Sequence, residues 1–378
     1  MFTLIKNVRI YNPKDLGYKD ILICNDKIID INEKINIYVK DIEIIDGTNM
    51  LAFPGYIDQH VHVTGGGGEG GFKTKVPELN ISNCIEGGVT TLVGVLGTDS
   101  ITRNVENLVS KTKALNDEGI TAYCLTGSYE YPSPTITGSV QKDIAFITEV
   151  IGVKIAISDH RCSNITKQEL IRLISEVRLA SLISNKPGIV HFHVGKGKDR
   201  LKMIFDILQD TDLPIKHFRP THIKEYLEKD AVKFANLGGY IDFTASNLSD
   251  DFVDFIDKMI QQVPLDRITI STDSNGSMPK WNENKELVGI EAGKITYMHE
   301  LLKCLIKERN LEIETVLSFI TINVAKALEI YPRKGILSEG SDADILLLNN
   351  DLDIETVISK GNIMMMNKEN LVKGVYEG

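Results

Sequence analysis

The sequence predicts an α/β protein, a (β/α)8 TIM-type barrel joined to a small β-sandwich domain that the N- and C-terminal segments form together. Two observations lead to this prediction. The middle of the chain, 53–331, alternates short apolar runs with longer amphipathic stretches, and repeated β-then-α units imply a parallel sheet. The two ends, 1–52 and 332–378, consist instead of short apolar runs that turn residues separate.

The middle segment contains eight strand-like runs, which is the number that a (β/α)8 barrel requires. These runs are 53–63, 88–96, 121–125, 153–157, 189–193, 217–222, 240–244 and 268–271. The helix-like stretches that follow are 103–118, 140–150, 167–185, 198–209, one that runs to 237, 251–262 and 290–308. An open doubly wound sheet is the alternative, but no GxGxxG motif follows the first strand.

The ends of the chain supply the second domain. Strands are predicted over 4–11, 21–24, 27–31 and 42–46 before the barrel, and over 344–348, 357–358 and 363–366 after it. Because both strand-rich ends flank the barrel, we expect them to meet in space as one small β domain.

Composition excludes several classes of partner. The chain has 378 residues and a formal net charge of −10. An acidic protein does not suit nucleic acid, since binding to phosphates depends on Lys and Arg, and it does not suit anionic lipid surfaces. No apolar run reaches the ~20 residues of a membrane-spanning helix.

The cysteines and the start of the chain bear on location. The five cysteines are odd in number and form no CxxC pair, which indicates reduced thiols. Met1 leads directly into the first predicted strand, without the charged and apolar regions of a secretory signal. We therefore expect a cytoplasmic protein.

His60 and His62 are the most informative candidate site residues. They lie two residues apart on a predicted strand, so both imidazoles point to the same face and can reach one metal ion. Such a pair could also be two structural histidines of the core, and His191 and His193 form a second pair with the same spacing. The distribution of the other candidates favours a metal site.

We expect the further candidate ligands at the C-terminal ends of the barrel strands, because the active sites of barrels are built at that face. These candidates are Lys154, His193, His222 and Asp273. Histidine and aspartate ligands suit Zn²⁺ or a similar divalent metal. A lysine ammonium is no ligand, but a lysine that CO2 has carboxylated becomes an anionic oxygen ligand that can bridge two metals.

These motifs resemble the amidohydrolase superfamily, and within it the isoaspartyl (β-aspartyl) dipeptidases. The superfamily pattern runs from 54–62 through Asp273 to 335–345. The more specific segments are 65–69, 96–99, 126–129, 134–140, 158–161 and 273–277. The resemblance covers essentially the whole chain.

The resemblance implies a centre of two divalent metals, with Zn²⁺ as the expected ion. His60, His62 and Asp273 would bind the first metal, and His193 and His222 the second. A carboxylated Lys154 would bridge them, together with a hydroxide that attacks the substrate carbonyl while Asp273 shuttles the proton. The other histidines, His160, His191, His217 and His299, are interpreted as structural.

The resemblance also implies a dipeptide site and a product pair of aspartate and an amino acid. Glu69 would bind the free α-amino group, Tyr129 the scissile carbonyl oxygen, and Arg161 a carboxylate. Gly67, Thr98 and Ser277 would line the pocket. The implied assembly is a homo-oligomer, with an octamer as the candidate.

One position departs from the family pattern. The family has an arginine three residues after the second-metal histidine, where this chain has Glu225, with Lys224 one residue short. This departure leaves the preferred dipeptide open. The enzyme alternatives are a cyclic amidase of the dihydropyrimidinase or dihydroorotase type and an N-acyl-amino-acid deacylase. A metal-free scaffold homologue is the non-enzyme alternative, and the six filled ligand positions argue against it.

Overall fold

A computed structural model describes residues 1–246, 248–284 and 286–377. Among these residues, no helix is both long and apolar enough to cross a membrane. The strands are β1 Phe2–Asn12, β2 Lys14–Cys24, β3 Lys27–Asn32, β4 Glu43–Asp46, β5 Leu51–Pro54, β6 Tyr56–Val61, β7 Val89–Gly94, β8 Thr121–Gly127, β9 Val150–Ile157, β10 Ile189–Val194, β11 Phe218–Thr221, β12 Ile241–Thr244, β13 Ile268–Ser271, β14 Ser277–Trp281, β15 Leu287–Ala292, β16 Ile345–Leu348, β17 Ile354–Ser359, β18 Asn362–Met366 and β19 Glu369–Asn370.

The α-helices lie between and after the central strands. They are α1 Ile81–Glu86, α2 Val105–Asp117, α3 Val140–Phe146, α4 Lys167–Ser184, α5 Lys202–Asp210, α6 Glu228–Asn236, α7 Asp250–Ile260, α8 Tyr297–Lys307, α9 Ile313–Ile320 and α10 Ile322–Ala327. Side chains start several of them. Thr166 accepts from the backbone of Glu169, whose carboxylate reaches back to Thr166, and this capping box begins α4.

The two ends of the chain share one sheet. Its strand order is β19-β18-β17-β16-β5-β1-β2-β3, with β4 beside β1. The join between the ends is the antiparallel pairing of β5 with β16, in which Ala52 faces Leu347. One side of this sheet packs a core of its own, which includes Ile5, Ile21 and Ile345.

The central strands form the predicted barrel. Strands β6 to β11 are parallel neighbours in sequence order, and β12 pairs with β13 in parallel. Backbone hydrogen bonds close the ring: Ile223 donates to Asp242 between β11 and β12 (3.1 Å), and Asp273 donates to His60 between the end of β13 and β6 (3.1 Å). The (β/α)8 prediction is confirmed.

A polar network ties four of the barrel strands together from inside. The buried Asp242 carboxylate accepts hydrogen bonds from Gln59 (2.7 Å), Thr221 (2.6 Å), Thr269 (2.9 Å) and Ser271 (2.6 Å). Because the donors come from three other strands, β6, β11 and β13, this network helps to fix the register of those strands relative to β12.

Two predicted elements differ most from the structure. The run 53–63 is two strands, β5 in the end sheet and β6 in the barrel, divided at Gly55, where a Cβ would lie 2.1 Å from the Thr90 hydroxyl. The helix predicted over 290–308 begins only at Tyr297, because Leu287–Ala292 pairs antiparallel with Ser277–Trp281 as a hairpin. The strand β14 was not predicted at all.

Candidate functional site

The candidate metal ligands come from separate strands and meet at one end of the barrel. His60 lies in β6, Lys154 in β9 and His193 in β10, whereas His222 and Asp273 follow the ends of β11 and β13. His222 (φ 62°) and Asp273 (φ 54°) both have left-handed backbone conformations. Aspartate and histidine adopt this conformation more readily than most other non-glycine residues.

His60, His62 and Asp273 form the tightest group. Asp273 Oδ1 is 3.3 Å from His60 Nε2 and 3.0 Å from His62 Nε2. Within the described part of the chain, this is the trio whose ligand atoms all lie within 4.8 Å of one another. Two imidazole nitrogens and one carboxylate oxygen are a donor set that fits a divalent cation such as Zn²⁺.

Burial keeps these histidines neutral, which is the form that binds metal. Burial, followed by the charge of Lys154, lowers the pKa of His60 well below its usual value and lowers that of His62. Burial alone would raise the pKa of Asp273, but His62, His222 and Lys154 together lower it, so its carboxylate is ionised. The trio therefore presents its ligand atoms in the required state.

Lys154 lies directly against this trio. Its side chain is fully buried, and its Nζ is 2.9 Å from His60 Nε2. Burial lowers the pKa of Lys154 to about 7. A substantial fraction of this amine is therefore neutral near neutral pH, and a neutral amine is a nucleophile.

His193 and His222 are neighbours on the other side of the group. Their ring centroids are 4.6 Å apart, and the His222 ring is 5.0 Å from that of His60. His193 Nδ1 is 2.7 Å from the Tyr129 hydroxyl, and its Nε2 is 3.0 Å from Asp159 Oδ2. Both nitrogens of His193 thus contact protein groups, and one must be released for it to bind a cation.

The residues expected to bind substrate form a second cluster. Both oxygens of Glu69 accept from the Ser277 hydroxyl at 2.8 Å, and the Thr98 hydroxyl lies 3.4 Å from Glu69 Oε1. Arg161 Nη1 is also 3.4 Å from Glu69 Oε1, and Arg161 Nη2 is 3.4 Å from His193 Nε2. Arg161 therefore connects this cluster to the candidate ligands.

Arg161 is fixed by a carboxylate that sequence reasoning missed. Asp159 accepts two hydrogen bonds from the Arg161 guanidinium, each 2.9 Å long, in a bidentate pair. Burial alone would raise the pKa of Asp159, but His193 and Arg161 lower it well below its usual range. The segment 158–161 contained this carboxylate, but only the fold shows that it faces His193.

The loop that carries Gly67 and Glu69 is held by Arg103, another residue that the sequence did not single out. Its guanidinium donates to the carbonyls of Val76 (2.7 Å) and Gly66 (3.4 Å) and also to that of Thr64. The chain is so close there that a Cβ on Gly65 would lie 2.0 Å from the Val76 carbonyl oxygen.

His191, which the sequence analysis interpreted as structural, contacts one of the candidate metal ligands directly. It is buried, and its Nε2 is 3.0 Å from His60 Nδ1, the nitrogen on the side away from Asp273. The signal was present in the sequence, because His191 and His193 share one strand face. His217 and His299, by contrast, contact the Gly188 carbonyl (2.6 Å) and the Tyr56 hydroxyl (3.1 Å).

Glu225, which stands where the family has an arginine, and its neighbour Lys224 have different environments. Glu225 is exposed and begins a short 3-10 helix, Glu225–Leu227. Lys224 is partly buried, and its pKa is lowered by burial and by the charge of Lys196. Lys224, not Glu225, is therefore the inward member of the pair.

Comparison with known proteins gives a consistent result. The model of the Amidohydrolase family matches residues 51–364. The crystal structure of a beta-aspartyl dipeptidase from Fervidobacterium islandicum AW-1, in complex with beta-Asp-Leu, is 41% identical, with a TM-score of 0.94 over 99% of this chain and 100% of that chain.

One more distant solved structure supports the fold, and one curated relative matches locally in sequence. A D-hydantoinase from Thermus sp. is 16% identical, with a TM-score of 0.68 over 98% of this chain and 96% of that chain. A dihydroorotase from Staphylococcus epidermidis is 34% identical over 105 residues, which are 28% of this chain and 24% of that protein. The chain thus matches only about a quarter of the length of that curated relative.

Proposed function

Because this chain belongs to the amidohydrolase family, we propose that it hydrolyses the isoaspartyl (β-aspartyl) amide bond of dipeptides and releases aspartate and an amino acid. The observation that carries this proposal is the full-length likeness to a dipeptidase crystallised with beta-Asp-Leu. The sequence match to a dihydroorotase, by contrast, covers only 28% of this chain.

The proposed cofactor is a pair of divalent cations, with Zn²⁺ as the expected ion. His60, His62 and Asp273 would hold one cation, His193 and His222 the other, and a carboxylated Lys154 would bridge them. Such cations, when bound, activate a water and polarise the substrate carbonyl. The trio fits this role because its ligand atoms are already gathered and deprotonated.

The proposed carboxylation of Lys154 is supported by its burial, which favours the neutral amine. The neutral amine attacks CO2, a new N–C bond forms, and one proton leaves, so that a carbamate anion replaces an amine. This exchange would turn the Lys154 side chain, whose Nζ lies 2.9 Å from His60 Nε2, into an anion that could help to hold the cations. The lowered pKa of Lys154, about 7, makes the reactive amine accessible without strong base.

Asp273 and Tyr129 would handle the proton and the carbonyl oxygen. The ionised Asp273 carboxylate accepts the proton of the attacking water and returns it to the leaving amine. The Tyr129 hydroxyl donates to the developing oxyanion. Burial raises the pKa of Tyr129, so it remains a donor at all physiological pH values. It must first exchange its contact with His193 for the substrate.

Glu69 and Arg161 would bind the charged ends of the dipeptide. In this structure the two are 3.4 Å apart, so each offsets the other's charge. A substrate with a free amino group and a carboxylate can insert between them and pair with both, which favours a β-aspartyl dipeptide over a neutral amide. Gly67, Thr98 and Ser277 would complete the pocket.

A substrate panel tests this function. The protein, supplied with zinc and bicarbonate, should cleave β-Asp-Leu but not N-acetyl-β-Asp-Leu, dihydroorotate or hydantoin. Glu69→Gln should raise KM for β-Asp-Leu and leave the bound zinc unchanged, because Glu69 binds the amine and no metal. Cleavage of the cyclic amides, or of the acetylated peptide alone, would replace the dipeptidase proposal with one of the other amide hydrolases.

We also propose a homo-oligomer, with an octamer as the candidate. Leu179, Leu182 and Ile183 on α4 are 50–73% exposed, and Phe146 at the end of α3 is 80% exposed, so this barrel face has apolar area to cover. Sedimentation velocity should give a mass several times that of one chain. A monomer at micromolar concentration would contradict the proposed assembly.

A further inference from the structure

The Asp159 carboxylate lies between a candidate metal ligand and a candidate substrate-binding residue. Its Oδ1 accepts hydrogen bonds from Nε and from the backbone amide of Arg161, at 2.9 Å and 2.8 Å. Its Oδ2 accepts from Arg161 Nη2 at 2.9 Å and lies 3.0 Å from His193 Nε2. The Asp159 side chain is 7% exposed. One nearly buried carboxylate thus holds a residue from each of the two clusters of the site.

This contact determines which nitrogen of His193 is free to bind a cation. A carboxylate in a bidentate pair with a guanidinium is ionised, and an ionised carboxylate only accepts hydrogen bonds. Nε2 of the neutral His193 ring must therefore carry the proton and donate a hydrogen bond to Asp159. Nδ1 keeps its lone pair, to which the Tyr129 hydroxyl donates at 2.7 Å. A cation that His193 binds would take this lone pair and leave the contact with Asp159 intact.

The same carboxylate determines which nitrogen of Arg161 faces the substrate-binding cluster. Asp159 holds Nε and Nη2, and Nη1 is the nitrogen that reaches Glu69 Oε1 and the Thr98 hydroxyl, each at 3.4 Å. The guanidinium also lies over the Tyr129 ring, 5.2 Å from its centre. The direction in which Arg161 presents its free nitrogen therefore depends on its pair with Asp159.

We infer that Asp159 positions two residues for the same reaction: it orients His193 toward the second cation and holds Arg161 toward the substrate carboxylate. This inference rests on the proposed function. A carboxylate behind a metal-binding histidine fixes the ring and its tautomer. Because one carboxylate serves both residues, its loss should weaken the second cation and the substrate together. The first cation, whose ligands Asp159 does not contact, should stay in place.

The test combines zinc titration against a chelator with the KM for β-Asp-Leu at saturating zinc. Asp159→Ala should weaken one of the two cations about 10- to 100-fold, the cation that His222→Ala also loses. It should raise KM about tenfold, the usual effect of losing one hydrogen bond to a charged group. The isosteric Asp159→Asn, which keeps one acceptor oxygen, should show smaller changes in both.

Two further variants are the controls. Arg161→Met should raise KM and leave both cations as tightly bound as in the wild type, because Asp159 still holds His193. Asp15 forms a similar pair with Arg9 on the end sheet, where Arg9 Nη2 and Nε lie 2.6 Å and 3.2 Å from Asp15 Oδ2. Asp15→Ala should therefore change neither cation binding nor KM.

The outcomes separate this inference from the proposed function. If the wild type cleaves no β-Asp-Leu, the dipeptidase proposal fails, and the zinc titration still decides whether Asp159 orients His193. If the wild type is active and Asp159→Ala binds both cations as tightly as the wild type, the inference is wrong and the function stands. Equal weakening of both cations, or an unchanged KM in Asp159→Ala, would also overturn the shared role.

Discussion

His60 makes contacts through both of its ring nitrogens. Nε2 lies 2.9 Å from Lys154 Nζ and 3.3 Å from Asp273 Oδ1, and Nδ1 lies 3.0 Å from His191 Nε2. If Nε2 binds a cation, Nδ1 carries the proton and donates a hydrogen bond to His191. Burial lowers the pKa of His191 well below its usual value, so its ring is a neutral acceptor. His191 is thus a positioning residue for a metal ligand.

Removing this acceptor should weaken metal binding. His191→Phe should lower the affinity for the first cation about 10- to 100-fold, the usual effect of losing such a partner. His191→Gln, whose carbonyl can still accept, should lose less. Titration of metal against a chelator measures both, and His217→Gln is the control. An unchanged affinity in His191→Phe would show that the contact orients nothing.

The pKa of Lys154 makes reactivation of the metal-free protein depend on pH. The group has a pKa of about 7, so protonation removes its nucleophile as the pH falls below that value. With dissolved CO2 held constant, recovery of activity after zinc addition should slow between pH 8 and pH 6, by about tenfold per unit once below the pKa. Equal recovery rates at pH 6 and 8 would contradict carboxylation through this amine.

At the scale of elements, the sequence was most informative about the barrel strands. The positions of His60, His193 and Asp273 near or after strand ends could be predicted, because apolar runs and their boundaries are local features. Lys154 instead lies inside β9, Val150–Ile157, and not at its end. The hairpin of Ser277–Trp281 and Leu287–Ala292 could not be predicted, because its strands are defined by pairing with each other. The apolar residues of β15 continue into the amphipathic pattern of α8, and local periodicity assigned both to one helix.

The glycine-rich loop over 64–76 is held in place by Arg103. Arg103 donates to three of its carbonyl groups, a geometry that one ammonium cannot reproduce. Arg103→Lys should therefore loosen the loop that carries Glu69, raising KM for β-Asp-Leu more than it lowers kcat. Hydrogen exchange over 64–76 should rise in the same variant. Unchanged exchange there would show that other contacts hold the loop.

At the scale of the whole molecule, a buried ion cluster lies in the segment between α10, the last helix, and β16 of the end sheet. Lys334 is 2% exposed, and its Nζ is 2.9 Å from Asp342 and also contacts Asp344. The backbone carbonyl of Asp344 accepts a hydrogen bond from the Gly55 amide, just before β6. Lys27 contacts Asp342 as well. The cluster thus ties both ends of the chain to the first barrel strand, a connection that depends on the fold and that sequence patterns do not show.

Breaking this cluster should destabilise the protein as a whole. Lys334→Met leaves two carboxylates without their buried cation and should lower the free energy of unfolding by about 3–5 kcal/mol. Lys368→Met removes an exposed partner of Asp353 and should cost less than about 1 kcal/mol. Urea unfolding followed by circular dichroism compares the two. Equal midpoints would show that the cluster stabilises no more than a surface pair.

One comparison tests most directly whether this metal centre cleaves the β-aspartyl amide bond. The zinc-loaded protein is given β-Asp-Leu and α-Asp-Leu under identical conditions, and free leucine is measured over time. We predict release from β-Asp-Leu alone, and none in Lys154→Ala, which should also lose bound zinc. Release from α-Asp-Leu at an equal rate, or full activity in zinc-free Lys154→Ala, would contradict the account.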